Sequence, residues 1–224
     1  MPEAFILDGL RTPIGRYGGV LADQRPDDLL ATTLKAVVDR TGIDPADIDE
    51  VIMGAANQAG EDNRNVARMA VLLAGLPVSV PGFTVNRLCA SGLTSIIQGR
   101  AMIAAGDADV VVAGGVESMT RAPWVTEKPS RAWAKPGKTF DTSIGWRFPN
   151  PQFDADTTLS MPETAERVAQ RWNLTREELD AFAYASHQKA LAAQAAGKFD
   201  PEILPIGDVT ADEGPRADTT PEKL

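Results

Sequence analysis

Residues suited to covalent chemistry are scarce in this sequence: one cysteine and one histidine occur among 224 residues. A single cysteine excludes any intramolecular disulfide, and so fits a reducing compartment such as the cytoplasm. Basic charge is also short, with 22 Lys and Arg against 31 Asp and Glu, a net charge of −9. That argues against a nucleic-acid partner, which needs a basic face to neutralise phosphates. No stretch approaches the 18 or more apolar residues of a membrane span. The start, Met1–Pro13, lacks the basic opening and long apolar run of a secretory signal. The expectation is a cytoplasmic protein with no nucleic-acid and no membrane partner. A small anionic ligand stays open, because a local basic cluster can work inside an acidic chain.

What is present reads as alternating strands and helices in the first half. Ala4–Asp8, Glu50–Ala56, Gly82–Asn86 and Asp109–Gly114 are short apolar runs without alternation. Between them lie helical patterns at Asp27–Arg40 (Asp27 as cap, Gly42 past the end), Asn65–Ala74 and Ala90–Ala105. Continuous apolar strands separated by helices predict an α/β fold with a mainly parallel sheet covered on both faces. From Arg121 to Arg147 periodicity is lost and the sign of charge reverses, with six basic residues against Glu127 and Asp141. A loop of this length in a compact domain is usually functional. Helices resume at Pro162–Trp172 and Thr175–Ala196, the second opened by a capping box, Thr175 with Glu178. The tail Gly207–Leu224 is polar.

Cys89 stands between the third strand and the helix that follows. Unpaired N–H groups and the helix dipole favour negative charge there, and thiolate rather than thiol is the nucleophile. The Cys89 backbone N–H is placed to donate to an oxyanion on an attached acyl carbon. Ala90, Ser91 and Gly92 leave room for a substrate. A buried, inert core thiol is the competing reading of the residue alone.

The segment Val85-Asn86-Arg87-Leu88-Cys89-Ala90-Ser91-Gly92-Leu93 resembles the acyl-enzyme signature of the thiolase family. Three further blocks match in order: Arg11–Gly15, Ala113–Thr120 and Met161–Glu166. The stretch Phe140–Phe148 is similar to thiolases of the 3-oxoadipyl-CoA type, which serve aromatic catabolism. The resemblance implies a layered thiolase-type fold. Residues 1–118 would form the N-terminal half-domain with the nucleophile, and residues 119–224 an inserted lid subdomain truncated at its end. It implies reversible cleavage of a 3-oxoacyl-CoA, with coenzyme A and acyl-CoA as substrates and no bound cofactor or metal. Cys89 would carry the acyl group in a ping-pong cycle. Met161 matches a position lining the pantetheine channel. The preceding residue, Ser160, favours the degradative branch, and Arg216 falls near an arginine at the nucleotide end of CoA. Thiolases are dimers or tetramers, and the basic loop suits CoA phosphates or subunit contacts.

The cysteine needs a base and the reaction a second acid/base. His187, the sole histidine, lies on a late helix and reads as a surface residue. The family draws its histidine, an oxyanion-hole asparagine and a second cysteine from a C-terminal half, and its fifth strand from just after the lid. None of those motifs is in this sequence, so the C-terminal half is expected to be absent and the chain inactive alone. Two other readings stand beside this one: a non-catalytic CoA-binding or dimerising remnant, or one chain of a split thiolase. A ketosynthase-like condensing enzyme shares the cysteine but not the lid blocks.

Overall fold

The computed structural model describes residues 2–224. Its centre is a parallel sheet of β1 (Glu50–Gly54), β2 (Gly82–Val85) and β3 (Val111–Gly115), in the order β2-β1-β3. Every strand-to-strand connection passes through a helix, as parallel pairing requires. Helices α1 (Pro26–Thr41) and α2 (Val66–Leu73) cover one face, and α3 (Ser91–Ala105) the other. Alternation along β1 decides which side chain meets which layer. Val51 and Met53 join Leu30, Leu34 and Val38 of α1 and Ala67, Ala70 and Val71 of α2 in the core. Gly54 meets the backbone of α3 on the opposite face.

Local signals account for most helix ends. Gly42 and Gly106 close α1 and α3 in left-handed conformations (φ 69° and 81°), which glycine adopts without a Cβ clash. Asn65 caps α2 by accepting from the Arg68 N–H. The assignment of Asp27 as cap of α1 is wrong. The cap position is Arg25, Pro26 takes the first turn, and Asp27 instead pairs with the Arg25 guanidinium. Proline is favoured at that site because its missing N–H would go unpaired anyway.

The expected first strand, Ala4–Asp8, belongs to no sheet among the described residues. Its apolar side chains are open, Phe5 at 74%, Ile6 at 86% and Leu7 at 70% exposure. A strand needs a neighbouring edge to pair its backbone, and the outer edge of β3 lies across a cleft of about 550 Å³ shared with α1 and α3. Arg40 of α1 holds the end of the segment through Asp8 and the Gly9 carbonyl.

The absence of a membrane-length apolar stretch also needs correction. Leu88–Ala105 meets that criterion by length and composition. Here, however, α3 packs on the sheet through small and polar residues, Ser91, Thr94, Ser95 and Gly99, and turns Leu93, Ile96 and Ile97 outward.

Beyond β3, the aperiodic loop contains a short antiparallel hairpin, β4 (Trp124–Thr126) with β5 (Thr139–Asp141). The Thr126 and Thr139 hydroxyls bond across it at 2.9 Å, and Phe140 packs on Phe148 with ring centroids 4.8 Å apart. Cross-strand pairs of this kind escape a search for long periodic runs. Helices α4 (Met161–Trp172) and α5 (Arg176–Ala195) follow, both opened by capping boxes.

The tail is more firmly held than its polarity suggests. Arg11 donates to both carboxylate oxygens of Asp212, at 2.7 and 3.0 Å, and to Glu202 at 2.6 Å. The Ile14 N–H donates to Asp212, and those of Arg16 and Val20 to Glu213. The Arg11 side chain holds the Asp212 carboxyl below its ordinary value. A carboxyl lowered on folding stabilises the fold above its ordinary pKa, and that contribution fades as pH falls through the lowered value. Asp212→Asn is therefore expected to cost about 1–2 kcal/mol at pH 7 and progressively less in acid. Urea unfolding of both forms from pH 7 to pH 3 measures the difference.

Candidate active site

After β2 the chain does not run straight into α3. It makes a tight turn, Asn86–Ala90, in which Leu88 adopts a left-handed backbone, φ 49°. A leucine resists that conformation, so local bonds must impose it. Asn86 Oδ1 accepts from the Leu88 N–H at 2.9 Å. Ser91 Oγ accepts from the Arg87 N–H at 2.7 Å and donates to the Leu88 carbonyl at 2.6 Å. Cys89 sits within this turn, two residues before the first helical residue, and its side chain is exposed. The inert core-thiol reading therefore does not apply. Among the described residues the Cys89 N–H makes no hydrogen bond, which leaves it free to donate to a ligand oxygen.

The turn rests on the ends of the strands. A Cβ at Gly54 would lie 2.3 Å from the Ser91 carbonyl carbon, so only glycine lets α3 descend this far onto β1. Ser95, fully buried, donates to the carbonyls of Gly92 and Gly114 and ties α3 to β3. Beside this junction, Glu117 accepts from the backbone N–H groups of Ala56 and Asn57. Desolvation of its carboxylate pushes the Glu117 pKa up, partly opposed by those two donors. A cavity of about 20 Å³, room for one water, is lined by Asn57, Asp62 and Glu117. Among the described residues, one carboxylate oxygen of Asp62 is buried there without a hydrogen-bond partner.

The other candidate residues lie apart from Cys89. Ser160 is the cap of α4, its hydroxyl accepting from the Glu163 N–H while Glu163 accepts from the Ser160 N–H. The Ser-x-x-Glu spacing at 160–163 is the local signal for that cap. Met161 follows in the first turn, 69% exposed. Arg216 donates its backbone N–H to His187 Nδ1 at 3.2 Å, and its guanidinium lies 3.5 Å from Nε2. His187 is thus a structural partner of Arg216. None of Ser160, Met161, His187 and Arg216 hydrogen-bonds the cysteine turn, and none lines either cavity described above. In the basic loop, Arg121 pairs with Glu61 through two bonds of 2.5 and 2.6 Å, and Arg147 reaches Asn57. Lys128, Arg131, Lys135 and Lys138 are exposed and form no salt bridge among the described residues.

Because Gly54 sets how closely α3 approaches the sheet, Gly54→Ala is expected to lower stability by about 1–3 kcal/mol through overpacking. Thermal unfolding, with iodoacetamide labelling of Cys89 on the folded variant, measures the loss and the displacement of the turn.

Residues 4–224 match the family description "Thiolase, N-terminal domain". The chain is 53% identical to a beta-ketoadipyl-CoA thiolase of Pseudomonas aeruginosa, over 99% of this chain and 58% of that protein. It is 52% identical to a 3-oxoadipyl-CoA/3-oxo-5,6-dehydrosuberyl-CoA thiolase of Escherichia coli, over 100% of this chain and 59% of the relative. The crystal structure of the Bacillus anthracis acetyl-CoA acetyltransferase superposes with a TM-score of 0.87 at 36% identity, covering 97% of this chain and 56% of that one. The chain thus spans just under three fifths of the length of these relatives. Over that span, it belongs to the thiolase family as its N-terminal domain.

Proposed function

We propose that residues 1–224 supply the acyl-carrying nucleophile, Cys89, to a degradative thiolase that cleaves a 3-oxoacyl-CoA with coenzyme A, 3-oxoadipyl-CoA being the favoured substrate. The observation that carries this reading is the exposed thiol, held in a left-handed turn at the start of α3. The likeness to thiolases named for 3-oxoadipyl-CoA supports the substrate.

In the proposed cycle the Cys89 sulfur adds to the 3-keto carbon. The developing oxyanion takes a hydrogen bond from the Cys89 N–H, and the helix dipole adds to its stabilisation. The bond between C2 and C3 then breaks. Its electron pair goes to the acetyl-CoA fragment, which takes a proton and leaves, and the shortened acyl group stays on sulfur. A second CoA thiolate attacks that thioester and Cys89 departs as thiolate. Two proton transfers need an acid and a base. His187 is turned to Arg216, so in this proposal those groups come from outside residues 1–224.

Residues 1–118 are the nucleophile-bearing half and residues 119–224 the lid. Ser160 and Met161 at the start of α4, with Arg216, are proposed to meet CoA, which is substrate rather than resident cofactor. The outward apolar face of α3, Leu93, Ile96 and Ile97, is suited to cover by further protein. A cytoplasmic homodimer or tetramer completes the proposal.

Incubation of the chain with acetoacetyl-CoA or acetyl-CoA tests the reading by intact mass. Acylation confined to Cys89, abolished by Cys89→Ala, is expected; a parent chain that is alkylated but never acylated argues against it. Thiolysis by residues 1–224 alone is expected at background, and turnover that depends on Cys89 would show that no outside acid or base is needed.

A further inference from the structure

The cysteine turn is secured by more than its own residues. Asn86 has two roles. Its Oδ1 accepts from the Leu88 N–H, and its Nδ2 donates to the Ala56 carbonyl at 2.9 Å. Ala56 lies in the segment that leaves β1 at Gly54, and the same residue gives its N–H to Glu117 at 2.8 Å. Asn57 gives its own N–H to the other Glu117 oxygen at 3.3 Å. Glu117 in turn leaves β3 just after Gly115, where the Val116 N–H bonds the Gly54 carbonyl at 3.0 Å. A continuous chain of hydrogen bonds therefore runs from Glu117, through Ala56 and Asn86, to the residue beside the nucleophile. The lid joins at Asn57, whose side chain donates to Thr142 Oγ1 and accepts from Arg147.

We infer that Glu117 and Asn86 are positioning residues for Cys89, with Glu117 fixing residues 55–57 and Asn86 hanging the nucleophile turn from them. This rests on the reading of Cys89 as nucleophile. The chemistry of the side chains suits the task. Two consecutive N–H donors need two acceptor oxygens, which a carboxylate offers and an amide does not. Glutamine at 117 keeps one oxygen and turns a second donor toward an N–H. Asn86 needs both a donor and an acceptor on one short stem. Displacement of a nucleophile by about 1 Å is enough to cost a large factor in rate.

The test is the rate of Cys89 alkylation by iodoacetamide from pH 6 to pH 9 in the full 224-residue chain. Glu117→Gln and Asn86→Ala are each expected to slow labelling about fivefold, the factor matching one lost hydrogen bond. For Glu117→Gln this slowing opposes simple electrostatics, since removing a nearby negative charge alone would favour the thiolate and speed labelling. The double variant should be no slower than the slower single one, because both cut the same chain of bonds. Leu34→Ala, a core truncation far from the turn, should keep the parental profile despite its lower stability. A folded Glu117→Gln with the parental profile overturns the proposal, as do additive effects in the double variant. Should Glu117→Gln not fold, the exposed Asn86 decides by its single variant. Alkylation is read without any acyl-CoA, so failure here is distinct from failure of acylation in the parent.

Discussion

The first turn of α3 lies backbone to backbone on the end of β1, and the geometry around Cys89 follows from that contact. It exists because position 54 has no side chain and because the single Ser95 hydroxyl proton is shared between the carbonyls of Gly92 and Gly114. A larger residue at 54 would meet the Ser91 backbone far inside van der Waals contact, and α3 would ride higher. The chain reverses through a positive φ at Leu88, and the reversal presents the thiol to solvent. The strain of that residue, on the order of 1–3 kcal/mol, is sustained by the bonds of Asn86 and Ser91.

The sheet explains why these supports meet. In a parallel sheet the ends of β1, β2 and β3 lie side by side, so the segments leaving them are neighbours in space. Residues 55–57, 86–89 and 116–117 come from three separate stretches of sequence and form one cluster. Ligand sites in open parallel sheets gather at these carboxyl ends for the same reason. The basic loop touches this cluster through Arg147, while its Arg121 pairs with Glu61. Its other cations remain in solvent.

Much of this was legible. The three strands of the sheet and the helices between them follow from apolar runs and helical spacing, and the caps at Gly42 and Thr175 were in plain view. The cysteine turn was legible as a motif, and its resemblance to thiolases agrees with the family match. What failed did so for physical reasons. Ala4–Asp8 is as apolar as the true strands, but pairing is a property of the neighbour, and the edge of β3 is not within its reach. The hairpin of β4 and β5 is too short to show a period. Asn86 and Glu117 stood inside the quoted motifs, yet their link depends on Ala56, which no motif contains. The contact of Arg216 with His187 joins residues 29 apart and has no local signal.

The solitude of the exposed thiol also shapes its fate under oxidation. A sulfenic acid at Cys89 finds no second cysteine within residues 1–224 to close a disulfide. Its escape routes are a small external thiol, which restores it, or further oxidation to the sulfinic acid, which does not reverse by ordinary reductants. Exposure of its single cysteine thereby gives this chain one thiol that peroxide can carry beyond recovery by ordinary reductants.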